Sequence, residues 1–159
     1  AVRHLKKENE NFVLDLVGFF EDEYKEQVKE LEKHSIAHFY GFQSDPRPFY
    51  IEADCVVLPS YHEGMSNVLL EAAATGRPVV TSNIPGCRES VENGKSGLLV
   101  EVKNKEMLYD AMKEMLHCSR EEREQMGQAG REKMEREFRK EVVVEKTVQS
   151  LRGDEKRDF

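Results

Sequence analysis

Two glutamates with seven residues between them, Glu63 and Glu71, mark the segment of this chain best suited to chemistry. An apolar run, Cys55 to Leu58, ends at Pro59-Ser60. A short polar loop carrying His62, Glu63 and Gly64 follows, and then a helix almost without charge, starting near Met65. A helix turns about 100° per residue, so Gly64, Asn67, Glu71 and Thr75 share one narrow face. Val68, Leu69, Ala72 and Ala73 cover the other faces. Glu71 is then a carboxylate on a largely buried helix, which is costly unless a partner holds it. The helix N-terminus offers free N–H groups and partial positive charge, a setting that suits a phosphate. Gly64 has no Cβ and lets a ligand approach the backbone. A carboxylate such as Glu71 can accept hydrogen bonds from a diol such as a ribose. The order strand, loop, helix puts this group at the carboxyl edge of a parallel sheet, where open α/β sheets bind ligands.

Plainer roles exist for the same residues. Glu63 can be a solvated loop carboxylate that complements the helix dipole, and Glu71 can pair with a Lys or Arg from another element. Ser66 can serve only as the helix cap. His62 adjoins Glu63 and can reach a phosphate or a sugar, or simply face water. Arg88 and Glu89 can line the cleft, and Glu89 can equally favour a helix start.

The flanking residues carry a wider pattern. Phe39-Tyr40-Gly41-Phe42 reads as a strand and a glycine turn. Ala53 to Ser60 reads as the strand entering the site, and Gly76-Arg77-Pro78-Val79-Val80 as the next strand entry. Gly86, Glu89, Gly94 and Gly97-Leu98-Leu99-Val100 follow in order. Together with the Glu63–Glu71 spacing, these resemble the C-terminal, donor-binding domain of family-4 retaining glycosyltransferases of the GT-B fold (glycosyl transferases group 1), over about residues 1–150. The resemblance implies that Glu71 holds the ribose hydroxyls of a sugar nucleotide. It implies that Glu63 is the catalytic residue, contacting the donor sugar near the reacting carbon. Backbone N–H groups of Gly64, Met65, Ser66 and Asn67 would face the donor sugar and pyrophosphate. Transfer would be retaining and front-face, through an oxocarbenium-like state, with charge stabilisation for the leaving diphosphate. No metal or other cofactor is expected. After the first strand the family often has Gly-Asp-Gly-like residues, where this chain has Gly18-Phe19-Phe20.

The elements that must position the site follow from periodicity and turn signals. Strands are expected at Phe12 to Val17, Ala37 to Tyr40, Cys55 to Leu58, Val79 to Thr81 and Leu98 to Val100. Helices are expected over Glu21 to Lys33, with Tyr24, Val28 and Leu31 inward, and over Pro46 to Glu52. Asn104 is the expected cap of a helix whose inner stripe is Met107, Leu108, Ala111, Met112 and Met115, a core stripe rather than a cofactor box. Ser119 and Glu122 have capping-box spacing for a highly charged helix. A final helix should dock back through Phe138, Val144, Val148 and Leu151. The alternation predicts an α/β fold, a Rossmann-like doubly wound parallel sheet with flanking helices, one half of a GT-B fold. No GxGxxG fingerprint is present.

The chain has 159 residues, enough for one domain with a real core. A formal net charge of −7 argues against general nucleic-acid binding. Cys55, Cys87 and Cys118 match no metal spacing and point to a reducing, cytoplasmic setting, with peripheral membrane contact left to other parts of a full-length protein. His4, His34, His38 and His117 have no ligand spacing. Residues 1–152 are expected to form the donor domain, lacking its first strand, with 153–159 as a frayed tail and the N-terminal acceptor domain absent. Such a piece should bind nucleotide weakly and not turn over alone. The expected partners are a UDP- or GDP-linked sugar and a glycan or lipid-linked acceptor, in capsule or lipopolysaccharide biosynthesis. Two other functions fit the same fold. A GT-B sugar-nucleotide epimerase would be separated by product analysis, and a non-catalytic binding module by indifference to nucleotide and to Glu71→Ala.

Overall fold

The computed structural model describes residues 1–8, 10–19 and 22–154, with side chains through residue 152. Helix α1 (Val2–Lys7) leads to strand β1 (Leu14–Val17), helix α2 (Lys25–Lys33), β2 (Ala37–Gly41), α3 (Arg47–Glu52) and β3 (Val56–Leu58). Then come α4 (Asn67–Ala74), β4 (Val79–Ser82), β5 (Gly97–Val100), α5 (Lys105–His117), α6 (Arg120–Glu137) and α7 (Lys140–Asp154). Short 3-10 turns lie at Asp22–Tyr24 and Arg88–Ser90.

Every strand pairing is parallel, as the alternation of strands and helices demands. The five strands form two sheets among the described residues: β1 with β2, and β3, β4, β5 in that order. The core wraps both faces of β4. Successive side chains of a strand point to opposite faces. Val79 therefore joins Tyr50, Leu69, Ala72, Cys87 and Val91, while Val80 joins Val100, Ala111 and Met115. This is the doubly wound arrangement, helices on both sides of a parallel sheet. Helix α6 approaches the end of α4 closely. A Cβ on Gly127 would lie 1.9 Å from the Gly76 carbonyl oxygen, so only glycine fits there.

The caps follow the sequence. Asn104 accepts from the Met107 N–H at 3.0 Å. Ser119 and Glu122 form the full capping box ahead of α6. Other expectations need correction. Tyr24 is exposed, because a 3-10 turn precedes α2 and takes it off the inner stripe. The expected start of that helix, residue 21, lies outside the described residues. Helix α7 leaves Val144, Val148 and Leu151 exposed rather than docked; the element it touches most is α6, already covered by the core on its other side. It continues to Asp154, and 155–159 lie outside the described residues. No helix among the described residues is long and apolar enough to cross a membrane.

Candidate functional site

The site begins where β3 ends. The Thr81 hydroxyl donates to the Leu58 carbonyl at 2.7 Å, tying the carboxyl end of β3 to β4. The chain then turns through Pro59 and Ser60, and the Ser60 hydroxyl donates to Glu63 Oε1 at 2.7 Å. That bond holds the half-buried Glu63 side chain back over the end of the strand. Gly64 and Met65 are exposed at the head of α4, and a Cβ on Gly64 would meet nothing within 4 Å. Neither strain nor crowding therefore explains the glycine there; the space its Cβ would fill is open.

Helix α4 starts at Asn67, two residues later than the pattern of polar residues suggested, with Ser66 at the N-cap. Ser66 makes no side-chain cap bond. It is 3% exposed, and its N–H donates to the Gly86 carbonyl at 3.1 Å. The Ser66 N–H is therefore committed to the protein and does not face a ligand. Among the described residues, the N–H groups of Gly64, Met65 and Asn67 have no hydrogen-bond partner. Those three remain of the four expected to face an anion.

Glu71 is exposed, so the expected desolvation cost of a buried carboxylate does not arise. Only Leu69, Ala72 and Ala73 of α4 are buried, and Asn67, Val68 and Glu71 look outward. The partner of Glu71 is neither Lys nor Arg. The hydroxyl of Tyr50, buried on α3, donates to Glu71 Oε2 at 3.0 Å. Burial first, and this bond second, push the Tyr50 hydroxyl well above the usual phenol range, so it stays protonated and donating. Glu71 Oε1 has no partner among the described residues. Thr75 leaves the polar face, since its hydroxyl bonds the Glu71 carbonyl at 2.7 Å and closes the helix.

Two neighbours were not singled out by the sequence. Tyr50 was hidden in a short helix whose pattern gave no sign of a polar contact. Lys103 follows β5 and stands with its ammonium 5.8 Å from the Tyr61 ring, bringing a cation to the same sheet edge. The loop after β4, whose Arg88 and Glu89 were expected at the cleft or at a helix start, is held by its own bonds. The Gly86 N–H donates to Glu89 Oε2 at 2.7 Å, which gives Glu89 a specific task. Arg88 is exposed and donates to the Asn83 carbonyl at 3.2 Å, so it is part of its own loop. His62 is exposed and makes no hydrogen bond among the described residues. Burial pushes the Cys87 thiol up, and the Glu63 and Glu89 carboxylates push it the same way. It is a neutral core residue, not a nucleophile. Among the described residues, no three His, Cys, Asp or Glu side chains gather to hold a metal. The unpartnered N–H groups of Gly64, Met65 and Asn67 suit an anionic group, and the free Glu71 Oε1 suits a hydroxyl donor.

Similarity to known proteins identifies the family of the chain. Residues 1–133 match the family described as glycosyl transferases group 1. The capsular polysaccharide biosynthesis glycosyltransferase CapM of Staphylococcus aureus is 32% identical over 102 residues, covering 64% of this chain and 27% of CapM. A GDP-mannose-dependent alpha-(1-6)-phosphatidylinositol monomannoside mannosyltransferase of Mycobacterium tuberculosis is 38% identical over 93 residues, covering 58% of this chain and 24% of the relative. Among solved structures, sucrose-phosphate synthase from Thermosynechococcus elongatus superposes with a TM-score of 0.75 at 26% identity, over 91% of this chain and 39% of that one. The chain thus spans about a quarter of the length of these curated relatives. With the family matched over residues 1–133 and the strand–loop–helix unit lying inside that span, the chain belongs to the glycosyl transferases group 1 family.

Proposed function

We propose that the Glu63–Glu71 unit binds a UDP- or GDP-linked sugar, and that the protein carrying it transfers a hexose-type sugar with retention to a glycan or lipid-linked acceptor. The observation that carries this reading is the open backbone at Gly64. A Cβ there would meet nothing, the neighbouring N–H groups of Met65 and Asn67 are unpartnered among the described residues, and Glu63 and Glu71 flank this stretch in the sequence. In this reading the free Glu71 oxygen accepts from the ribose hydroxyls, with Tyr50 fixing the carboxylate plane. The N–H groups of Gly64 and Met65 meet the sugar and pyrophosphate. Glu63, oriented by Ser60, stands near the reacting carbon and stabilises positive charge as it develops. The bond between the anomeric carbon and the phosphate oxygen breaks, and its electron pair leaves with the diphosphate. The acceptor hydroxyl attacks the same face and its proton passes to the departing phosphate.

Several observations support the reading beyond the site. The names of the two relatives carry capsule synthesis and GDP-mannose dependence, which favours a nucleotide donor and a cell-surface product. β1 and β3 each have one edge without a strand neighbour among the described residues, which fits a further strand supplied by the rest of a longer protein. Three free cysteines favour the cytoplasm. The deciding experiment is an amide NMR titration with UDP and with GDP, with Glu71→Ala as control. Shifts clustered on residues 60–75 and lost in the variant are expected, and the stronger ligand names the base. Binding that is indifferent to Glu71→Ala would remove the reading.

A further inference from the structure

The loop after β4 is built onto the turn that precedes α4. Gly86 is buried, with φ +87°, and a Cβ there would lie 1.5 Å from the Gly64 carbonyl oxygen and 2.7 Å from that of Glu63. The backbone of one loop thus rests directly on the backbone of the other. Both peptide groups of Gly86 are held. Its carbonyl accepts from the Ser66 N–H at 3.1 Å, and its N–H donates to Glu89 Oε2 at 2.7 Å. The 3-10 turn that carries Glu89 is itself well anchored. Its neighbours Cys87, Ser90 and Val91 are buried, and the Ser90 hydroxyl donates to the Cys87 carbonyl at 2.6 Å. A carboxylate bond to a backbone N–H is charge-assisted and stronger than a neutral one.

We propose that Glu89 is a positioning residue for the nucleotide site. Its carboxylate fixes the Gly86 peptide, the Gly86 carbonyl fixes Ser66, and the contact with Gly64 fixes the turn whose N–H groups face the ligand. This rests on the donor-site reading above. The competing role is local: a glutamate three residues after Gly86 can simply cap its own 3-10 turn, as in half of a capping box. The two roles differ in reach. A local cap acts on residues 86–91 alone, whereas a positioning residue also controls the amide of Ser66 and the ligand affinity.

Glu89→Ala and Glu89→Gln separate these. Glutamine keeps an oxygen that can accept from the Gly86 N–H, and alanine does not. Amide hydrogen exchange is read at Ser66, Gly86 and, as an internal reference, Val80, alongside titrations with UDP and GDP. Glu89→Ala should speed exchange at Ser66 by at least about tenfold with Val80 unchanged, and weaken nucleotide binding by about tenfold, the worth of one charge-assisted hydrogen bond. Glu89→Gln should stay within about threefold of the parent in both. Unchanged exchange at Ser66 in Glu89→Ala overturns the proposal, as does equal loss of affinity in both variants. A parent protein that binds neither nucleotide removes the donor-site reading instead, while the Ser66 exchange rates still decide whether Glu89 holds the turn.

Discussion

In β4, Val79 is 1% exposed and Val80 0%, whereas β1 carries Val17 at 39% and is preceded by Val13 at 71%. The contrast extends to the loops. The turn after β3 is locked by Thr81, Ser60 and Gly86. The ends of β1 and β2 instead carry the exposed rings of Phe19 and Phe42, stacked 5.0 Å apart. Strands of a parallel sheet are at their most stable when helices cover both faces. The β3–β4–β5 half meets that condition, and the β1–β2 half, with no buried residue in β1 and none in α2, does not. The candidate site draws nearly all its geometry from the well-packed half. A site that must hold an anion against open backbone needs donors fixed in advance, and dense packing is what fixes them.

The comparison can be broken most severely at Gly86. Gly86→Ala adds both a positive-φ penalty and a backbone clash, and should cost at least about 3 kcal/mol in denaturant unfolding. A milder result would mean that the two loops are free to separate. Leu69→Ala, at a fully buried position on the inner face of α4, should cost about 3 kcal/mol. Val17→Ala in β1 should cost less than about 1 kcal/mol, and comparable losses would erase the difference between the halves. Tyr50→Phe should cost about 1 kcal/mol by removing its bond to Glu71, and weaken UDP or GDP binding severalfold by freeing the carboxylate plane. Gly64→Ala should leave stability within about 0.5 kcal/mol, because its Cβ meets nothing, yet lower nucleotide affinity strongly. Calorimetry on that variant tests whether the open space is a ligand's.

The smallest effect lies far from the site, where Glu8 after α1 meets Lys113 and Tyr109 of α5. The Lys113 hydrogen bond first, and that of Tyr109 second, hold the Glu8 carboxyl below the usual carboxylate range. A depressed carboxyl adds stability that is complete above its unfolded pKa of about 4.3 and is lost as pH falls through the lower folded value. Glu8→Gln should flatten that acid limb slightly, as read by thermal unfolding below about pH 4.

Much of the site unit was legible because it is local. The apolar run before Pro59, the polar loop and the small-residue helix are contiguous, and the Asn104 and Ser119 caps are set by residues three apart. The burial of Glu71 was misread because a helical wheel shows which residues share a face, not which face meets solvent. The docking of α7 was misread for the same reason: apolar spacing at Val144, Val148 and Leu151 says nothing about whether a partner surface is there. The division of the strands into two sheets was equally out of reach, since pairing is decided between elements.

The sequence by itself determined the order of the elements from β1 onward, though not helix α1, together with the Asn104 and Ser119 caps, the Glu63–Glu71 spacing and the family. Each of these rests on residues close together in the chain, where backbone geometry and side-chain type act directly. Only the tertiary structure decided that Tyr50 holds Glu71, that Gly86 rests on Gly64, and that the Ser66 N–H is already spent on a carbonyl. Those contacts join separate elements, and their geometry is set by how the β4 core packs those elements together, which no local pattern encodes.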